Sequence, residues 1–121
     1  FVNYWKPGID AAGVIAVPAA DGQSSFIDAR DIADSAAAAL TTDRFDGKAF
    51  NLTGPEALGY AEAAALISEA IGKPVSYQAS IFYPVREGWT AVVTDDVRTL
   101  TGHPARQVAA WVKENAAILK G

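Results

Sequence analysis

The stretch SFIDARDIADSAAAALTTDRFDGKAFNLTGP, residues 25–55, decides how this chain is read. It divides into strand, capped helix, turn and strand, with a break at each joint. Phe26 and Ile27 open a short β-run that Asp28 ends. Asp28 and Asp31 fall where a helix N-cap and its N3 position belong, an acidic variant of the capping box. Ile32, Ala36 and Leu40, with Ala33 and Ala37 beside them, recur at 3–4-residue spacing and so form one apolar stripe. Residues 41–47 supply the polar and turn-forming break. Residues 49–53 then read as a second strand, stopped by Gly54-Pro55.

Outward from this stretch, the next helix is expected over 60–71, with Ala63, Leu66, Ile67, Ala70 and Ile71 on one face. Gly59 stands at its N-cap and Glu62 three residues on. Gly72 ends the helix and Lys73-Pro74 forbids its continuation. Val75 to Tyr77 is a further strand candidate. Upstream, Lys6-Pro7-Gly8 is a break, and residues 13–19 (GVIAVPA) form a strand whose Pro18 marks an edge. Asp21-Gly22 is a tight-turn signal, so residues 14–17 and 25–27 are expected to pair as a hairpin. Downstream, Thr94 reads as the N-cap of a short helix with Asp95 and Asp96 in its first turn and Gly102 at its end. A last helix is expected over 105–119, presenting Val108, Trp111, Val112, Asn115, Ile118 and Leu119 on one face. Three or four short strands among four helices make a mixed α/β fold, and 121 residues suit one domain.

These motifs, taken together, carry a resemblance. FIDARDIADSAAAAL followed by GKAFNLTGPEALGYAEAAALISEAIGKPVSY resembles the C-terminal half of the NmrA-like, atypical short-chain dehydrogenase/reductase group, in its NAD(P)H-dependent quinone-oxidoreductase branch. The shared pattern is a hydrophobic-Asp-x-x-Asp-Ile-Ala run, then Leu-Thr-Gly-Pro, a helix, and Gly-x-Pro-Val-x-Tyr. Thr101-Gly102-His103-Pro104 resembles a further turn of the group. The resemblance implies the substrate-binding part of a Rossmann-type fold without its N-terminal nucleotide-binding sheet. The intact relative would use NADP or NAD to reduce a quinone or similar carbonyl acceptor. It also implies that the aromatic segment at the start lines the pocket beside the nicotinamide, with Phe1, Asn3 and Trp5 contacting substrate. Read without the resemblance, the same segment is the apolar end of a strand or helix. Relatives carry some twenty more residues after the strand at Tyr77, a lid-like helix; here Ile81-Phe82-Tyr83 and Arg86-Glu87-Gly88-Trp89 follow almost directly.

What is missing bounds the activity. No G-x-G-x-x-G turn exists in the 121 residues, and no Tyr-x-x-x-Lys pair. No cofactor is therefore expected to bind tightly to this chain alone, and no catalytic residue is assigned. The alternative is a non-catalytic NmrA-like regulatory or protein-interaction module. A start at Phe1 and not Met reads as a fragment or processed product, and the partners expected are a missing N-terminal half or a second copy.

Composition removes other classes. A formal charge of −4 and a pI near 4.8, with Lys and Arg scattered singly, leave no footprint for nucleic acid. There is no cysteine, hence no disulfide or thiolate site, and the single His103 excludes a multi-histidine metal centre. Asp21 and Asp28 read as turn and cap residues, not metal ligands, and His103 as a surface turn residue. No apolar run approaches the roughly 20 residues of a membrane span, no signal peptide is visible, and the expected location is cytoplasmic.

Overall fold

A computed structural model of the chain describes residues 3–79 and 88–120. The elements are α1 (Lys6–Ala12), β1 (Val14–Val17), β2 (Gln23–Ser24), α2 (Ala29–Leu40), a single 3-10 turn (Asp43–Phe45), β3 (Leu58–Gly59), α3 (Tyr60–Ile71), β4 (Ser76–Ala79), α4 (Asp96–Thr101), α5 (Val108–Glu114) and α6 (Ala116–Lys120). The fold is mixed α/β, as its sequence implies. The segment 80–87, with Ile81, Phe82, Tyr83, Arg86 and Glu87, lies outside the described residues, as do Phe1, Val2 and Gly121. Among the described residues, no helix is long and apolar enough to cross a membrane.

The body is organised around α3, whose boundaries match the sequence reading at both ends. Glu62 Oε2 accepts the Gly59 backbone N–H at 2.7 Å, which is one half of a capping box. Gly72 closes the helix in the left-handed region at φ 67°, where a side chain would be strained. Tyr60, Ala63, Ala64, Ile67 and Ile71 are buried, and Leu66 and Ala70 pack against the same core. Ile9, Ile15, Val108, Val112 and Leu119 complete that core from the neighbouring elements.

Strand pairing differs from the expected hairpin. β1 pairs in parallel with β4, Val14 opposite Ser76 and Val17 opposite Ala79. The intervening chain supplies the crossover that a parallel pair requires, α3 included. Ser68 Oγ ties the end of α3 to this sheet, accepting from Val75 N at 2.8 Å. Tyr77 Oη accepts the Ala19 N–H at 3.2 Å and donates to the Val17 carbonyl at 3.0 Å. Burial holds that phenol above its usual pKa. The Asp21-Gly22 reversal is real, with Gly22 N bonded to Ala19 O. It delivers the chain to β2, which pairs antiparallel with β3. Phe26 and Ile27 therefore lie just past a strand rather than in one.

Lys6-Pro7-Gly8 begins a helix instead of breaking one: proline fits the first turn, where no intrahelical N–H bond is lost. The 49–53 segment forms no ladder either. Its polar groups are taken by the start of α4: Asn51 N donates to Asp96 at 2.6 Å, Thr94 N to Thr53 Oγ1 at 2.8 Å, and the Thr94 hydroxyl to the Asn51 carbonyl. Because Thr94 is engaged there, Asp95 and not Thr94 is the N-cap of α4. The expected last helix is split at Asn115, whose Nδ2 donates to the Trp111 carbonyl at 2.8 Å.

The largest departure concerns α2. Asp28 is its N-cap, accepting the Arg30 N–H at 2.8 Å. Asp31, however, does not reach back to close a box; it turns inward and is 0% exposed, beside buried Ser35. The predicted apolar stripe points away from the body, with Ile32 at 45% and Leu40 at 87% exposure. Asp31 faces inward because Arg106, on the loop before α5, is there to receive it; the Ser35 hydroxyl beside it is buried without a hydrogen-bond partner.

Candidate substrate pocket

Three separate segments enclose a cavity of about 380 Å³. Tyr4 and Trp5 come from the approach to α1, Phe26 to Ala29 from the entry into α2, and Arg106 to Val108 with Trp111 from the start of α5. The positions follow from local structure. Trp5 is the N-cap of α1, Asp28 the N-cap of α2 and Gln107 the N-cap of α5, so three helix beginnings converge. Trp5 meets Phe26 edge-on at 5.7 Å between ring centres, and both meet Tyr60, at 5.8 and 5.5 Å. Tyr60 in turn stacks on Tyr77 at 5.7 Å. This chain of rings fixes one aromatic wall from the core outward, and Trp111 lines the cavity too.

Gly54 explains how the Phe26 segment is held. A Cβ on Gly54 would stand 1.8 Å from the Phe26 carbonyl oxygen, so only glycine lets the two strands of chain cross there.

The polar part is a network of carboxylates and guanidiniums. Arg30 grips Asp28 through Nε (3.1 Å to each oxygen) and Nη2 (2.6 Å), and pairs with Glu114 of α5 at 2.8 Å. The Arg30 hydrogen bonds hold the Asp28 carboxyl below its usual range, against the opposing effect of burial, and Asp28 in turn raises Arg30. Arg106 donates its backbone N–H and Nη1 to Asp31 and reaches Asp34 at 3.1 and 3.2 Å. Burial works against the Arg106 charge, but the hydrogen bonds and field of Asp34 and Asp31 outweigh it and raise its pKa.

His103, expected as an unpartnered turn residue, joins this network: Nε2 lies 3.2 Å from Asp34 and Nδ1 2.9 Å from the Pro104 carbonyl. Asp31, Asp34 and His103 bring one ligand atom each within 4.8 Å of one another. The Arg106 guanidinium already sits among the two carboxylates, which makes this an ion-pair cluster stapling α2 to the turn before α5.

Of the residues singled out in sequence, Trp5 lines the cavity, Asn3 is exposed and does not, and Phe1 lies outside the described residues. Sequence reasoning missed Tyr4, Phe26, Arg106 and Trp111, and read Asp28 only as a cap. A second depression of about 570 Å³ beside Ile71 and Lys73 lacks aromatic walls and this network.

Among the described residues, the helix starts do not form a cradle for a dinucleotide's phosphates. The sequence has no G-x-G-x-x-G turn, and at the start of α3, the one described helix that leaves a strand directly, the Glu62 carboxylate already accepts the Gly59 N–H. The start of α2 likewise carries Asp28. The residues present do not fit that group, and no reaction step is derived through it.

No family model matches the chain. Individual proteins do. An NAD(P)H azoreductase of Xenophilus azovorans is 35% identical over 93% of this chain and 48% of its own length. A (4-alkanoyl-5-oxo-2,5-dihydrofuran-3-yl)methyl phosphate reductase of Streptomyces griseus is 33% identical over the same shares. The chain thus spans about half the length of the curated relatives it matches. These alignments run over 135 and 137 residues, so the relatives carry residues inside the matched span that this chain of 121 lacks.

Solved structures share the fold. The NADPH-dependent quinone oxidoreductase of Escherichia coli, in complex with NADPH, superposes with a TM-score of 0.81 at 22% identity, over 93% of this chain and 49% of that one. The triphenylmethane reductase of Citrobacter sp., in complex with NADP(H), gives 0.76 at 23%, over 94% and 48%. Along nearly its whole length, this chain is homologous to about half of the NmrA-like, Rossmann-type NAD(P)H oxidoreductases.

Proposed function

We propose that these 121 residues are the C-terminal, acceptor-binding part of an NAD(P)H-dependent reductase, and that the acceptor is a flat conjugated molecule such as a quinone. The cavity walled by Trp5, Phe26 and Trp111 carries this reading, because stacked and edge-on ring contacts suit a planar aromatic guest. The names of three relatives support it: quinones, azo compounds and triphenylmethane dyes are conjugated systems. The hydride donor and its binding site belong to the half these residues do not match; here the chain binds, orients and shields the acceptor.

The test is an NMR titration of the chain with menadione, following the Trp5 and Trp111 indole N–H signals. Saturable shifts of both are expected, and Trp5→Ala should weaken binding about fivefold, one aromatic contact's worth. No saturable binding, or shifts confined to Trp89, would overturn the proposal. NADPH oxidation by the 121-residue chain with menadione should stay at background.

A second reading, a protein-interaction module without turnover, draws support from the outward apolar stripe of α2. It predicts association through α2 and indifference of the cavity to quinones.

A further inference from the structure

Asp28 and Arg106, one acid and one base, line the cavity, and the ion-pair network they belong to carries an excess of acid. Four carboxylates, Asp28, Asp31, Asp34 and Glu114, are gathered by two guanidiniums, Arg30 and Arg106. His103 beside Asp34 adds at most one positive charge. The guanidiniums are already paired with these carboxylates. Both terminal nitrogens of Arg106 already donate to Asp31 or Asp34, and Arg30 gives Nε and Nη2 to Asp28 while pairing with Glu114. An incoming anion at Arg106 would meet the field of Asp31, which is wholly buried, and of Asp34. Arg106 lines the cavity, therefore, without offering it an uncompensated cation.

The walls point the same way. Indole and phenyl faces carry negative quadrupole potential and attract cations, least weakly where water is excluded. Asp28, at the cavity lining, is held ionised by Arg30.

Resting on the acceptor-binding reading above, we infer that this pocket sorts its aromatic ligands by charge: it accepts neutral and cationic planar molecules and rejects those bearing sulfonate, carboxylate or phosphate. One or two excess negative charges, at a separation on the order of 8 Å from a ligand charge and in a dielectric near that of water, change binding about two- to fivefold per unit of ligand charge. Cation and anion should then differ roughly 5- to 25-fold at low salt, and less as salt shortens the screening length to about 10 Å at 0.1 M and below that at higher concentration.

The probes are three anthraquinones with one ring system: 2-(trimethylammoniomethyl)-, 2-(hydroxymethyl)- and 2-sulfonate. Each is titrated into the chain by NMR at 20 and 300 mM NaCl, and into Asp34→Asn, whose half-exposed side chain makes the variant tolerable to the fold. The expected order is cation tighter than neutral tighter than anion, with the spread shrinking in salt and shrinking in Asp34→Asn. Equal affinities, a preference for the sulfonate, or a spread unmoved by Asp34→Asn overturns charge selection while leaving the pocket standing. Failure of all three to perturb Trp5 and Trp111 removes the pocket itself, and the inference with it.

Discussion

Two neighbouring residues of α2 should behave in opposite ways to what their chemistry suggests. Asp31 is fully buried and accepts both the backbone N–H and the Nη1 of Arg106. Asp31→Ala leaves that N–H without its acceptor, a loss of about 1–3 kcal/mol. It also removes one of two carboxylates from Arg106, which keeps Asp34, so about 1 kcal/mol more is lost rather than the 3–5 kcal/mol of a fully orphaned charge. The total is about 2–4 kcal/mol. Asp31→Asn retains an acceptor oxygen and should cost about half as much. Ile32 is nearly half exposed, so truncation to Ala forfeits about 1 kcal/mol of burial and regains several tenths in helix propensity. Ile32→Ala should therefore cost about 0.5 kcal/mol, and Leu40→Ala close to nothing. Urea unfolding followed by far-UV circular dichroism, compared at equal slopes, ranks the four variants. If Ile32→Ala or Leu40→Ala costs as much as Asp31→Ala, α2 packs with its apolar stripe inward and the account of the network fails.

Gly54→Ala forces a Cβ onto the Phe26 carbonyl, backbone against backbone, and should cost about 3 kcal/mol; it should also weaken menadione binding, since Phe26 lines the cavity. A variant unchanged in both urea midpoint and binding would refute that crossing. Asp28→Asn keeps a good N-cap but loses the charge that Arg30 holds. The folded pKa of Asp28 lies below its unfolded value near 3.9, so its contribution is complete above about pH 4 and disappears as pH falls through the lower folded value. The stability gap between wild type and Asp28→Asn should be full at pH 7 and close on acidification below about pH 4. A gap independent of pH from 7 to 3 would show that the charge contributes nothing.

How much of this was legible in the sequence depended on whether the deciding contacts were local. For α3 every local signal agreed, from Gly59 and Glu62 to Gly72 and Pro74, and both boundaries were read correctly. β1 and β4 were recognisable as strands, but their pairing partners were not. A turn at Asp21-Gly22 suggested a hairpin, while the parallel pairing joins residues some sixty positions apart. Thr94 and Asp95 are both capping residues, and what decides between them is Thr53 and Asn51, far upstream. The partner of His103 lies 69 residues away on α2, so its turn context gave no hint. Trp5 entered the candidate site through family resemblance alone. Phe26 had an ordinary reading in a strand, and Arg106 and Trp111 in the last helix; only folding brings these segments to Trp5.

The polarity of α2 was misjudged for a more instructive reason. Hydrophobic periodicity reports that one face is apolar, not that this face meets the body of the same 121 residues. The opposite face has a period of its own: Asp28, Asp31 and Asp34, spaced by three, fall along one side of the helix. Reading the first two as a capping pair used up the signal before the third was counted. Three carboxylates on one helical face repel one another unless cations are brought to them, and the chain supplies Arg30 from the helix itself and Arg106 from the loop before α5. Closing that loop onto α2 sets Val108 and Trp111 opposite Phe26 and Trp5, which is how the cavity forms. The acidic face is thus the inner one because it recruits the second wall of the site, and the alanine-rich face is left outward as a consequence.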